Sequence, residues 1–217
     1  MPPASIDRPQ SRGEELANSV SHGIGAVALA CASPFLIVSA ARHRDPALLT
    51  GVCIFAFTAM LVYLASAVYH AMPHGAPMKR VLAVIDHSAI YLMIAGTYTP
   101  FTLGVLRGGW GWTVFGVVWA LAVAGVCLKI WRGVDRHKRL SLALYLGMGW
   151  LALAVIGRLW AVMPHAGFYL LVAGGVFYSA GVPFYASKIT PYHHFVWHLF
   201  VLAGSVCHFM AVLSCCG

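Results

Sequence analysis

The chain of 217 residues is 60% hydrophobic and only 9% charged, with a net charge of +8 and a mean hydropathy of +0.80. Soluble domains carry roughly 25% charged residues, so the composition excludes a soluble globular enzyme and defines an all-α integral membrane protein. The basic excess belongs to topology and anionic headgroups, not to nucleic-acid binding.

The N-terminal run MPPASIDRPQSRGEELANS is polar and contains proline. It lacks the apolar core of a secretory signal, so the first apolar segment is expected to serve as an uncleaved targeting signal. A membrane-crossing helix needs about 20 predominantly apolar residues. Seven are predicted, at 17–40, 47–70, 82–105, 110–131, 140–161, 166–186 and 193–214. The expected organisation is a cytoplasmic tail over 1–16 and a seven-helix membrane domain over 17–217, multi-pass in the inner or plasma membrane.

Proline and glycine mark the joints. Pro46 precedes the second segment, and Pro73 and Pro77 flank the second loop. Arg107-Gly108-Gly109 separates the third and fourth, and Pro164 the fifth and sixth. Pro191 is expected to open the seventh helix at its first turn, where its missing N–H does no harm. Gly147, Gly149, Gly174 and Gly175 are read as helix-packing positions, and Trp110, Trp112, Trp131 and Trp160 as interfacial anchors. With the N-terminus cytoplasmic, ten basic residues fall inside: Arg8, Arg12, Lys79, Arg80, Lys129, Arg132, Arg136, Lys138, Arg139 and Lys188. Four, Arg42, Arg44, Arg107 and Arg158, fall outside. That bias satisfies the positive-inside rule and places the C-terminus outside.

Against this apolar background His70, Asp86, His194 and His198 stand out. An ionisable group within a bilayer costs several kcal/mol unless paired, hydrated or metal-bound, so it is a functional hypothesis by default. His194 and His198 lie four residues apart and share one helical face. The second segment ends near His70, the third reaches Asp86 soon after it starts, and the seventh starts at His194, so all lie at one depth near the inner face. Three imidazoles from two helices, completed by a carboxylate or water, make a tetrahedral zinc (Zn2+) site, and three protein ligands with an open fourth position are the pattern of catalytic zinc. Asp86 can ligate directly or act as general base, and Ser66, one turn before His70, can hydrogen-bond water or substrate. The plainer alternative is that membrane histidines hydrogen-bond across helices, and that reading is held for His22, His74, His87 and His193. His208 lies ten residues beyond His198, about 15 Å along the axis, too far to share the ion. It has no facing pair of histidines with which to hold haem. The six cysteines, Cys31, Cys53, Cys127, Cys207, Cys215 and Cys216, form no CxxC pair and read as small packing residues.

Three motifs in order, Ser66-Ala-Val-Tyr-His70, the run from Asp86 to Pro100, and His194-Phe-Val-Trp-His198 followed by His208-Phe209, resemble the hemolysin III branch of the progestin and adipoQ receptor superfamily. The opening Glu15-Leu-Ala-Asn18-Ser-Val-Ser-His22-Gly is similar to the start of the same pattern. The resemblance implies seven helices, a cytoplasmic N-terminus and zinc near the inner face. It implies His70, His194 and His198 as ligands, Asp86 acting through a water, and Ser66 beside them. Three functions follow as expectations. One is a zinc-dependent hydrolase of a membrane lipid amide or ester, with a lipid or fatty acid lying among the helices. The second is a structural-zinc protein of membrane fluidity and energetics. The third, ranked last because no polar stripe would line a wide channel, is a pore-forming hemolysin. The sequence does not define the oligomeric state, and without an extended N-terminal domain or extracellular tail a hormone-receptor role is not expected to transfer.

Overall fold

The computed structural model describes residues 10–134, 136–187 and 189–216, and every regular element among them is helical. Seven helices are long and apolar enough to cross a membrane: α1 (Arg12–Arg42), α2 (Pro46–Ala71), α3 (Pro77–Leu106), α4 (Gly108–Arg132), α5 (Lys138–Val162), α6 (His165–Ala186) and α7 (His193–Ser214). The chain is a multi-pass membrane protein. Arg8 and Lys188, counted above as inward-facing charges, lie outside the described residues.

Helix α1 begins at Arg12, not at residue 17. Hydropathy missed its first turn because that turn is charged, and a capping box makes it helical. Glu14 N–H donates to Ser11 Oγ at 3.3 Å, and Ser11 N–H donates back to Glu14 Oε2 at 2.8 Å, satisfying two otherwise orphaned donors. Helix α2 starts with Pro46 at its first turn behind the N-cap Asp45, and stops at Met72 before Pro73. Helix α7 starts at His193, beyond Pro191, because Tyr192 adopts a left-handed conformation with φ 58°. Its N–H is taken by Glu14 Oε1 at 2.8 Å. Of the expected Arg107-Gly108-Gly109 joint, only Arg107 lies between α3 and α4. It holds φ 50°, a costly conformation for a non-glycine residue. Its side chain anchors it by donating from Nε to Gly104 O at 2.7 Å and by pairing with Asp45.

Helix α1 packs against α2 and α7, α2 against α3, α3 against α4, and α6 against α7, while α5 lies on α3 and α4. Two helices depart from α geometry. From Pro100 to Leu106 α3 widens into a π-helix, since Pro100 has no N–H for the ladder. From Trp150 to Val155 α5 narrows to a 3-10 helix. There the Tyr98 hydroxyl enters the ladder, donating to Gly149 O and accepting from Ala152 N–H, both at 2.8 Å. Inserted side chains of this kind are a known cause of helix irregularity.

Close approach needs glycine at Gly51, where an added Cβ would lie 2.6 Å from Pro100 Cα. Gly174 likewise makes room for the His208 ring, but Gly147 and Gly149 face open space and are not packing positions. The four tryptophans expected at interfaces are exposed.

Candidate metal centre

Helix α2 carries His70 on its last turn, and α7 carries His194 and His198 on its first two. Because α1 sits between these helices and touches both, the rings converge. Centroids lie 5.1 Å apart for His70 and His194, 5.1 Å for His70 and His198, and 4.7 Å for His194 and His198. One nitrogen from each comes within 4.8 Å of the others, so the three could hold one metal ion.

The donor chemistry fits such an ion. The Nδ1–H of His70 donates to Glu15 Oε2 at 2.7 Å, while its buried Nε2 meets no hydrogen-bond partner. The Nδ1–H of His198 is shared between Asn18 O at 3.2 Å and Ser21 Oγ at 3.1 Å. Both partners are acceptors here, since Ser21 spends its own proton on Asn18 O at 2.8 Å. Each ring is thereby set in the tautomer that leaves Nε2 as a bare lone pair, the form in which imidazole binds a metal. Glu15 is itself tied down: Lys79 Nζ donates to its Oε1 at 2.7 Å and to Met72 O at 2.8 Å.

Asp86, on α3, is buried at 7% exposure, and Ser66, one turn before His70, at 2%. The Ser66 hydroxyl hydrogen-bonds the Asp86 carboxylate. Both residues line the same cavity as His194 and His198. This cavity, of about 180 Å³, runs from the histidine cluster past Met93, Tyr178 and Val201 to Leu159 and His208. His194 and His208 both border it, and fourteen helical residues span about 21 Å. Apart from the polar end its walls are largely aliphatic and aromatic. Trp150 crosses from α5 to α6, donating its indole N–H to Ser179 Oγ at 2.9 Å.

The other histidines are not part of the ion-binding group. His193 donates across helices to Phe184 O at 3.0 Å, as expected. His74 meets Gln10 O at 3.2 Å beyond the end of α2. His87 bonds within its own helix, to Ala83 O at 2.9 Å. His208 Nε2 contacts Leu171 O at 3.1 Å, far along α7. His22 departs from the helix-bridging expectation: neither ring nitrogen has a hydrogen-bond partner, and the ring stacks on His198 at 3.6 Å and 8°.

The contribution of α1 to this site was missed in the sequence. Its signal is the polar series Glu15, Asn18, His22, spaced three and four residues apart on one face of an otherwise apolar helix. Drawing the helix from residue 17 left Glu15 in the tail and broke the series. The six cysteines are free, and Cys31 and Cys53 are exposed, so packing does not account for those two.

Seven membrane helices among the described residues and a three-histidine cluster with His70 and His198 buried define a heptahelical membrane protein with a candidate intramembrane metal centre. Comparison with known proteins narrows the class. The family described as "Haemolysin-III related" matches residues 10–209, and the chain belongs to that family. It is similar to the "Hemolysin-3 homolog" of Bacillus subtilis (strain 168), at 45% identity over 94% of both chains. It is also similar to the "Hemolysin-3" of Bacillus cereus, at 41% identity over 92% of this chain and 90% of that one. A more distant relative is the human "Monocyte to macrophage differentiation factor", 27% identical over 92% of this chain and 83% of its own length. The superfamily resemblance read from the motifs is thus supported.

Proposed function

We propose that this protein is a zinc-dependent hydrolase of an amide or ester bond in a membrane lipid. The observation that carries the reading is the opening of one apolar cavity onto His194 and His198 of the three-histidine cluster and onto the Ser66–Asp86 pair. His70, His194 and His198 hold the ion through nitrogen. Three neutral imidazoles and a free position suit zinc. A zinc ion there supplies Lewis acidity toward a carbonyl.

The remaining steps belong to the chain. The cavity takes the acyl chain and sets the carbonyl beside the cluster. Asp86 accepts a proton from the attacking water and returns it to the departing amine or alkoxide, so that water is added across the cleaved bond. Ser66 holds the Asp86 carboxylate in place. Positioned carboxylates of this kind contribute roughly 10²–10⁴-fold. We also place the N-terminus in the cytoplasm and the site near the inner face, on the Lys and Arg distribution. An alkaline phosphatase fused after residue 216 is expected to be active only outside the cytoplasm.

The deciding variant is Asp86→Asn in detergent-purified protein, assayed for bound zinc and for release of fatty acid from a panel of N-acyl and O-acyl lipids. Zinc retained with turnover reduced at least about a hundredfold supports the hydrolase. Wild-type protein that binds zinc and releases no fatty acid from any of them makes the metal structural.

A further inference from the structure

The metal centre described above has a component on a helix that supplies none of its three nitrogens. Glu15 sits on the first turn of α1, with its side chain only 12% exposed. It faces two partners from other helices. One oxygen accepts the His70 Nδ1–H at 2.7 Å. The other accepts from Lys79 at the start of α3, also at 2.7 Å, and lies 3.4 Å from Nε2 of His74, beyond the end of α2. Lys79 is held in turn by Met72 O, at the end of α2, and stands over the Tyr69 ring at 5.1 Å.

This chain of contacts does two things that the three histidines cannot do for themselves. First, an imidazole on the last turn of a helix has free rotation about χ2 and two tautomers. A carboxylate on Nδ1 removes both freedoms, leaving Nε2 bare and turned toward His194 and His198. Second, the negative charge beside Nδ1–H makes Nε2 a stronger donor to a cation, as carboxylate partners of metal-bound histidines do. The ammonium of Lys79, at 2.7 Å, holds Glu15 at its post more closely than the exposed His74 does, whose Nε2 lies 3.4 Å from the same oxygen.

We propose that Glu15 is a positioning residue of the metal centre, fixing the tautomer and direction of His70 so that the site is built before the ion arrives. The inference rests on the metal-binding part of the proposed function and is independent of hydrolysis.

The test uses full-length protein in detergent, stripped of metal. Zinc affinity is measured by competition with a chelator, and the Co2+ form by its visible absorption spectrum. Glu15→Ala is expected to weaken zinc binding 10- to 100-fold, the usual effect of removing such a partner, and to alter the Co2+ spectrum because His70 reorients. Glu15→Gln, whose amide oxygen accepts the same N–H, is expected to recover part of the affinity and the wild-type spectrum. Leu16→Ala, on the exposed side of the same turn, is expected to match wild type. Thermal unfolding of the metal-free proteins separates lost affinity from lost structure, and Glu15→Gln keeps the test open if Glu15→Ala does not fold. Wild-type affinity and spectrum in Glu15→Ala would overturn the proposal. Equal losses in Glu15→Ala and Glu15→Gln with unchanged spectra would overturn it too, since charge without orientation would then suffice. A wild type that binds neither ion removes the metal centre altogether. A wild type that binds zinc but hydrolyses nothing removes only the hydrolase.

Discussion

The two ends of the bundle are held together by different physics. Where α1 begins and α2 ends, the helices meet through Glu15, Asn18, Ser21, His70, Lys79 and His198, joined by hydrogen bonds and an ion pair, with His194 packed ring to ring beside them. At the opposite end they meet mainly through apolar side chains, among them Leu36, Leu48, Phe55, Phe101 and Val212, buried in one cluster. In lipid, apolar contact between helices gains from close fit and not from the hydrophobic effect. The apolar end therefore depends on shape, as at Gly51 against Pro100. The polar end depends on pairing, because an unmet polar group is costly away from water, and the ring nitrogens it leaves unmet, His70 Nε2 and both of His22, stand out. One end rests on apolar fit, and the other carries the candidate metal site.

That division can be broken by substitution. The largest effect is expected from His194→Ala/His198→Ala, which removes two of three donors. Metal analysis should fall from about one zinc per chain to none, while the metal-free protein unfolds close to the metal-free wild type. A double variant that keeps its metal would place the ion elsewhere. Gly51→Leu attacks the other end. Its side chain has to enter the space of the Pro100 backbone, and overpacking of this kind costs about 3 kcal/mol. Unfolding in SDS should register the loss, while zinc binding per folded chain is unchanged. If zinc binding fell as well, the two ends would be coupled through α2.

A smaller effect is expected from Tyr98→Phe, which takes the acceptor from Ala152 N–H. The substitution also removes the donor to Gly149 O; leaving a backbone N–H without its partner costs about 1–3 kcal/mol, again read by unfolding, unless α5 recovers a regular α-helix and offsets it. The mildest test concerns Cys216, beyond the end of α7. Burial, reinforced by the neighbouring Cys215, pushes its thiol up to about 11. The thiolate is the reactive form, so alkylation at pH 7.5 should run on the order of a hundredfold slower than for a peptide thiol. Its rate should climb as the pH rises toward 11. Fast labelling at neutral pH would show that this end is looser than its packing implies.

The legible features and the missed ones divide along the same line. The apolar runs located all seven helices, because membrane thickness imposes a length on each that local composition reports directly. The HxxxH spacing and the placement of His70 exposed the histidine cluster, because a helix converts spacing into direction and a bilayer converts position into depth. Glu15 was read as tail because a charged first turn looks the same as a loop until its partners on α2 and α3 are known. The same holds for Tyr98. Nothing local to α5 announces the 3-10 segment, since the hydroxyl that disrupts its ladder comes from another helix.

The sequence by itself determined a heptahelical membrane protein of the hemolysin III family and the residues able to bind an ion. Composition, period and spacing are properties of one segment at a time. Only the tertiary structure decided which tautomer His70 and His198 hold, that α1 supplies the partners of both rings, and that one apolar cavity reaches His194 and His198. Those depend on contacts between helices distant in sequence, whose partners no single segment encodes.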